Sequence, residues 1–170
     1  MHTNLRIESF AYRLVGGLRF IGIDAWHHDG GPGEDWNALW GRKEEFMPPL
    51  DLLAKEYGCE ILAEGAMMHH CNREVDTENH YMVGRFFKAG APVPDGYDSF
   101  DVPTDWAAYA EIFCPQFDGN TWPGYEATRD RILADGRLIP YPVNYWHCEL
   151  FPDGRPQTGA CRYAYLFSVR

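Results

Sequence analysis

In the stretch "NYWHCELFPDG", residues 144–154, large side chains occupy both parities of a strand closed by a turn. With period two, Tyr145, His147, Glu149 and Phe151 share one face, and Trp146, Cys148 and Leu150 share the other. Either face is apolar enough to be buried, yet one of them carries a carboxylate among aromatic neighbours.

The same reading organises the whole chain. Residues 5–26 are strand-like, rich in β-branched and aromatic residues and punctuated by Gly16, Gly17 and Gly22. After the turn-rich "HHDGGPGED", "DWNALWGRKEEF" places Trp36, Leu39, Trp40 and Lys43 at helical spacing behind Asp35 as a cap. "LDLLAKEYG" continues the helical pattern, and Pro48 and Pro49 between the two pieces are expected to kink or split the helix. The strands "CEILAEGAMMHH" and "HYMVGRFFKAG" follow. A second half repeats that order: the strand "DWAAYAEIFCPQF", a helix with Thr121 as its cap, Pro123 in its first turn and Gly136 at its stop, then the strands "NYWHCELF" and "CRYAYLFSV". A Pro- and Gly-rich segment, 89–105, joins the halves.

The expected fold class is therefore α+β. Two βαββ repeats, about 5–90 and about 97–170, are related by a pseudo-twofold axis within a single domain spanning 1–170. Each unit alone leaves an apolar sheet face uncovered, so the two are expected to merge into one curved antiparallel sheet, with helices on one face and a ligand cleft on the other.

Length supports one domain, since 170 residues suffice for one sizeable core and not comfortably for two. No apolar run approaches the roughly 20 residues that cross a bilayer, and the N-terminus lacks a signal-like segment, so a soluble, cytoplasmic protein is expected. A net charge of −10 repels phosphate backbones and anionic membrane surfaces and favours cations. Aromatic residues make up 15 % of the chain, enough to build a core and also to line a pocket for flat ligands.

Five cysteines without tight spacing fit reduced thiols better than a disulfide framework. His69, His70, Cys71 and His80 are the nearest approach to a metal cluster. Adjacent His69 and His70 diverge on a strand, so no zinc site and no cofactor is expected.

The residues also carry a resemblance. "HYMVGRFFKAGAPVPDGYDSFDVPTDWAAYAEIF" resembles the central stretch of GyrI-like domains, the effector-binding modules attached to many AraC-type and MerR-type regulators. Tyr81, Val83 and Gly84 match its "Y-x-V-G" element, Val93, Pro94, Gly96 and Tyr97 its "V-P-x-G-[YF]", and Val102, Pro103, Tyr109 and Ala110 its "[IV]-P" and "Y-A". "WHCELF" is similar to the family's acidic strand, whose glutamate projects into the ligand cleft, and Leu39–Trp40 to its tryptophan-bearing first helix. Trp106 and Glu111 depart from the pattern. The matching region begins within the first ten residues, so a stand-alone module without direct DNA binding is expected.

The resemblance implies that Glu149 is a pocket carboxylate selecting planar, lipophilic ligands, cationic ones foremost. The alternative is a solvated Glu149, or one paired with an arginine such as Arg162. Tyr145 shares the parity of Glu149 and joins it as a ligand-binding candidate. Trp40, Tyr163 and Tyr165 are open between core and pocket, Tyr109 enters through the matched motif, and Glu64 holds roughly the place in the first repeat that Glu149 has in the second. The superfamily also implies two other functions. One is a hydrolase of cyclopropane-bearing planar toxins in which Glu149 activates water, and the other is a protein-binding modulator such as a gyrase inhibitor.

Overall fold

A computed structural model describes residues 5–25, 36–58, 61–69, 80–140 and 145–170. His27, His28, Asp35, His70 and Cys71 lie outside these residues. Among the described residues eight strands form one antiparallel sheet: β1 (Arg6–Val15), β2 (Leu18–Asp24), β3 (Glu64–His69), β4 (His80–Lys88), β5 (Asp98–Val102), β6 (Asp105–Phe117), β7 (Trp146–Phe151) and β8 (Gly159–Ser168). Their order is β1-β6-β8-β7-β3-β4-β2-β5. Outward from the β3/β7 seam, one half runs β3, β4, β2, β5 and the other β7, β8, β6, β1, which is the twofold pattern that the repeated element order implied. The class is α+β and the sheet is open.

The strand expected over 5–26 breaks at Gly16–Gly17, where Gly17 has φ 65°. Register nonetheless carries across this corner, because Val15 faces Asp105 while Leu18 faces Val102. In effect 6–24 and 98–117 are two long bent strands lying antiparallel, each serving both halves. The corner is tight, and a Cβ on Gly16 would collide with the Thr104 side chain.

Among the described residues the helices with both ends defined are α1 (Trp36–Gly41), α2 (Lys43–Tyr57) and α3 (Trp122–Ala134). Here the structure corrects the helix boundary. α2 runs through Pro48 and Pro49, and the break falls earlier, at Arg42. The prolines leave the carbonyls of Glu44 and Glu45 without their helical donors. All four of these residues are exposed, so water can serve those carbonyls, while Phe46, Met47 and Leu50 stay buried on the inner side. α3 stops at Asp135–Gly136, as expected.

Strand alternation sorts the core into two layers. Tyr163, Tyr165, Phe167, Tyr145 and Phe151 pack with Leu39, Trp40, Phe46 and Ile132 of the helices. Ala164, Leu166, Trp146, Cys148 and Leu150 pack on the opposite face with Phe20, Met82 and Phe86. All six residues of β7 are buried, as befits a strand at the seam with a covered layer on each side. Among the described residues no helix is long and apolar enough to cross a membrane.

Gly22 and Gly84 face each other across β2 and β4. A Cβ on Gly84 would overlap the Ile21 carbonyl, a backbone atom that cannot swing aside. Gly84→Ala should therefore cost about 2 kcal/mol or more. Gly41→Ala, at an exposed helical site with open space, should be neutral or stabilise by up to about 1 kcal/mol. Urea unfolding of both variants checks this, and equal midpoints would contradict it.

Candidate functional site

β7 turns Glu149 toward the helices, and there a cavity of about 280 Å³ opens between α1, the start of α3 and strands β3, β4, β7 and β8. The expected fold put the cleft on the helix-free face. That face does carry a groove, lined by Leu14, Ile61, Tyr109 and Leu166 among others, but the Glu149 cavity lies on the helix-bearing side. The reason is parity: Glu149 shares its face with Phe151 and Tyr165, whose rings form the layer beneath the helices.

Glu149 is 8 % exposed. Its Oε1 accepts a hydrogen bond from the Thr121 hydroxyl at 2.6 Å. The Tyr165 hydroxyl lies 3.2 Å from the same oxygen and 3.1 Å from the Thr121 carbonyl, so its proton is shared between them. Among the described residues Oε2 has no donor. Burial raises the Glu149 carboxyl above its ordinary range, opposed by the Thr121 hydrogen bond, the Arg155 charge and the Tyr165 hydrogen bond. Burial, reinforced by the Glu149 charge, likewise pushes the Tyr81 and Tyr165 hydroxyls well up, so both stay protonated.

The approach to α3 sets Thr121. Asp118 accepts from the Asn120 amide, and Asn120 accepts from the Trp122 amide, both at 3.0 Å. Thr121 occupies the cap position, but its hydroxyl goes to Glu149 and makes no cap bond. That corrects its expected role: Asn120 serves the free amide, which releases Thr121 for the carboxylate.

Aromatic rings wall the cavity. The Trp40 indole N–H donates to the Tyr81 hydroxyl at 2.8 Å, and the Trp40 ring meets Phe151 edge-on at 5.5 Å. At the mouth, each helix begins with a tryptophan stacked on a tyrosine, Trp36 on Tyr81 and Trp122 on Tyr125, each pair at 4.7 Å. These tryptophans are 40 % and 52 % exposed, so each presents indole surface to solvent. A cation is already present as well. The Arg155 guanidinium lies 4.9 Å over the Trp40 ring, and its Nη2 donates to the Gly119 carbonyl at 2.7 Å.

Of the residues singled out in the sequence, Glu149, Trp40 and Tyr165 line this cavity together. Tyr145 is buried on the same face but stands behind it, bonded to His147 Nδ1, which itself lines the wall. Tyr163 packs against Phe117 and Phe151 beneath α3. Tyr109 pairs with Leu166, so its parity sends it to the opposite groove, where Arg13 sits over its ring at 4.1 Å. Glu64 bonds Lys43 Nζ at 2.7 Å and the Arg155 amide at 3.1 Å. Across the β3/β7 ladder Ala66, not Glu64, faces Glu149. Arg162, the arginine considered as an internal partner for Glu149, instead pairs with Glu8 at 2.9 Å. His69 and His80 stack with centroids 4.9 Å apart, and His80 Nδ1 bonds Asp24 at 2.6 Å.

Sequence reasoning missed Arg155, Trp36, Trp122 and Tyr125 as cavity residues. The repeat held a usable signal for the tryptophans, because each stands at the first position of its helix. Arg155, in the turn "PDGRP", carried none.

No family profile and no curated protein matches this sequence. Solved structures do. A protein described as a candidate bacterial transcription regulator from Staphylococcus aureus MU50 has a TM-score of 0.61 at 13 % identity, over 95 % of this chain and 98 % of that one. A protein bound to tetraphenylphosphonium gives 0.64 at 13 % identity, over 95 % and 94 %. An integron cassette protein from the mobile metagenome of Vibrio cholerae gives 0.53 at 11 % identity, over 98 % and 99 %. At these identities the likeness concerns the fold, and the fold shared with them is the one that the resemblance to GyrI-like domains implied.

Proposed function

We propose that this protein is a small-molecule-binding module whose ligands are planar, lipophilic and cationic. The observation that carries this reading is the Glu149 carboxylate, buried in an aromatic cavity with one oxygen held by Thr121 and Tyr165 and the other open. A desolvated carboxylate gains more from a cation than an exposed one does, and each aromatic face adds about 0.5–2 kcal/mol of cation–π attraction. The exposed indoles of Trp36 and Trp122 offer flat surface to a ring system entering the mouth. A protein of this fold binding tetraphenylphosphonium, a tetrahedral cation with four aromatic rings, supports the cationic and aromatic part of this reading. A cytoplasmic setting suits free thiols such as Cys148, whose burial pushes it well above its ordinary value and leaves it unreactive.

A second reading is hydrolysis. A carboxyl with a raised pKa beside a protonated tyrosine is also an arrangement that can take a proton from water and hand one to a leaving group. Incubation with cyclopropane-bearing planar compounds separates the two, since a ring-opened water adduct marks turnover. In that case Glu149→Gln abolishes product while substrate still binds.

For the binding reading, Glu149→Gln should weaken tetraphenylphosphonium or 10-methylacridinium by about 1–3 kcal/mol and leave a neutral planar analogue nearly unaffected. Calorimetric titration measures both, and equal losses for the two ligand types would contradict the charge-based account.

The raised carboxyl also sets two pH dependences. A cation needs Glu149 ionised, so affinity should rise with pH through a midpoint above the ordinary 4.5 and then level off, while Glu149→Gln gives a flat profile. Stability runs the other way. Well below the ordinary value of 4.5, Glu149 is neutral in both folded and unfolded chains and contributes nothing. As pH rises through that value the unfolded chain ionises first, so stability is lost until the folded carboxyl has ionised too. Without ligand, Glu149→Gln should therefore melt above the parent at neutral pH, and the gap should close below about pH 4. A gap that is constant with pH would contradict the assignment.

A further inference from the structure

Arg155 has a position that the carboxylate alone does not explain. It follows the turn after β7, and its amide is tied to Glu64 Oε2 at 3.1 Å. From there the side chain reaches into the cavity. Its Nη2 donates to the Gly119 carbonyl at 2.7 Å and reaches Asn37 Oδ1 at 3.4 Å, so one residue spans the approach to α3 and the start of α1. The guanidinium lies over Trp40, whose ring thereby has a resident cation on one face.

Among the described residues no carboxylate forms an ion pair with this guanidinium, and its Nε is buried with no acceptor. A half-buried arginine normally answers a carboxylate or phosphate with a two-pronged contact. Here most of that capacity is unspent inside a cavity that binds a ligand on the reading above. A ligand bearing only positive charge is attracted by Glu149 and repelled by Arg155. One bearing positive charge at one end and negative charge at the other is attracted by both.

We propose that Arg155 is a specificity-determining residue of this cavity, and that the ligands it favours are dipolar aromatics, flat cationic ring systems that also carry a carboxylate or similar anionic group. The inference rests on the cavity being a ligand site, and it deepens that reading by naming the ligand class.

The test uses one ring system with and without the anion: 10-methylacridinium-9-carboxylate, a zwitterion, and its methyl ester, a monocation of nearly the same shape. Titrated calorimetrically into the intact protein, the zwitterion should bind at least tenfold more tightly than the ester. Arg155→Gln, which retains an amide donor for the Gly119 carbonyl, should bring the two affinities within threefold of each other by weakening the zwitterion. Arg155→Lys should retain part of the preference. The comparison on the parent protein needs no variant, so a substitution that unfolds the chain does not shelter the proposal. Equal affinities, or tighter binding of the ester, overturn the role of Arg155 while leaving the cavity a cation site. A tenfold preference that survives Arg155→Gln overturns it as well. If neither compound binds, both the ligand class and the site reading fall.

Discussion

A carboxylate on one of the two central strands of an eight-stranded sheet has to be hydrogen-bonded where it stands. Leaving it ionised and unpartnered would cost several kcal/mol, and β7 has no exposed position to which it could retreat. The local structure of the second half answers this constraint. The turn before α3 is organised by Asp118 and Asn120 so that Thr121 gives up its cap role and donates to Glu149, while the Tyr165 hydroxyl on the neighbouring strand reaches the same oxygen. What remains is one carboxylate oxygen facing a cavity, and the chemistry of the site follows from that remainder.

The two halves contribute unequally to it. Each supplies a tryptophan at the start of a helix stacked on a tyrosine, but Tyr81 lies on β4 beneath α1 while Tyr125 is one turn along α3 itself, so the two pairs are built differently. The charges differ as well. Glu149 belongs to the second half, where the first has only Ala66 across the ladder. Arg155 also belongs to the second half but is pinned by Glu64 and Asn37 of the first. The site is assembled at the seam because the two long bent strands fix one half against the other, so that groups distant in sequence meet in a set geometry.

Much of this was legible beforehand. The period-two pattern of 145–151 put Glu149 and Trp146 on opposite faces, and the repeated element order gave the twofold sheet. What escaped had physical causes. Pro48 and Pro49 do not interrupt α2, because their unserved carbonyls face water while the inner residues pack, a balance between solvation and burial that local propensity cannot weigh. Thr121 read as a helix cap because the hydroxyl that bonds Glu149 is 28 residues away from it in sequence. Tyr109 carried a matching motif, yet its parity is fixed by pairing with Leu166, a contact visible only once strands are aligned. Arg155 sits in a turn that reads as solvated, and only the path of the chain through Gly154, at φ 80°, brings it over Trp40. The Glu149 cavity lies on the face opposite to the one expected because parity turns Glu149, with Phe151 and Tyr165, toward the layer beneath the helices.

On the proposed binding reading, Glu149 is a desolvated carboxylate that draws positive charge. Carboxyl-labelled glutamate followed by NMR across a pH titration tests it directly, with the Glu149 resonance assigned through Glu149→Gln. In the free protein its midpoint should lie above 4.5. Saturating tetraphenylphosphonium should lower it by at least about one unit, equivalent to about 1.4 kcal/mol of preferential binding to the ionised form. A midpoint at the ordinary carboxylate value that ligand leaves unmoved would contradict the account.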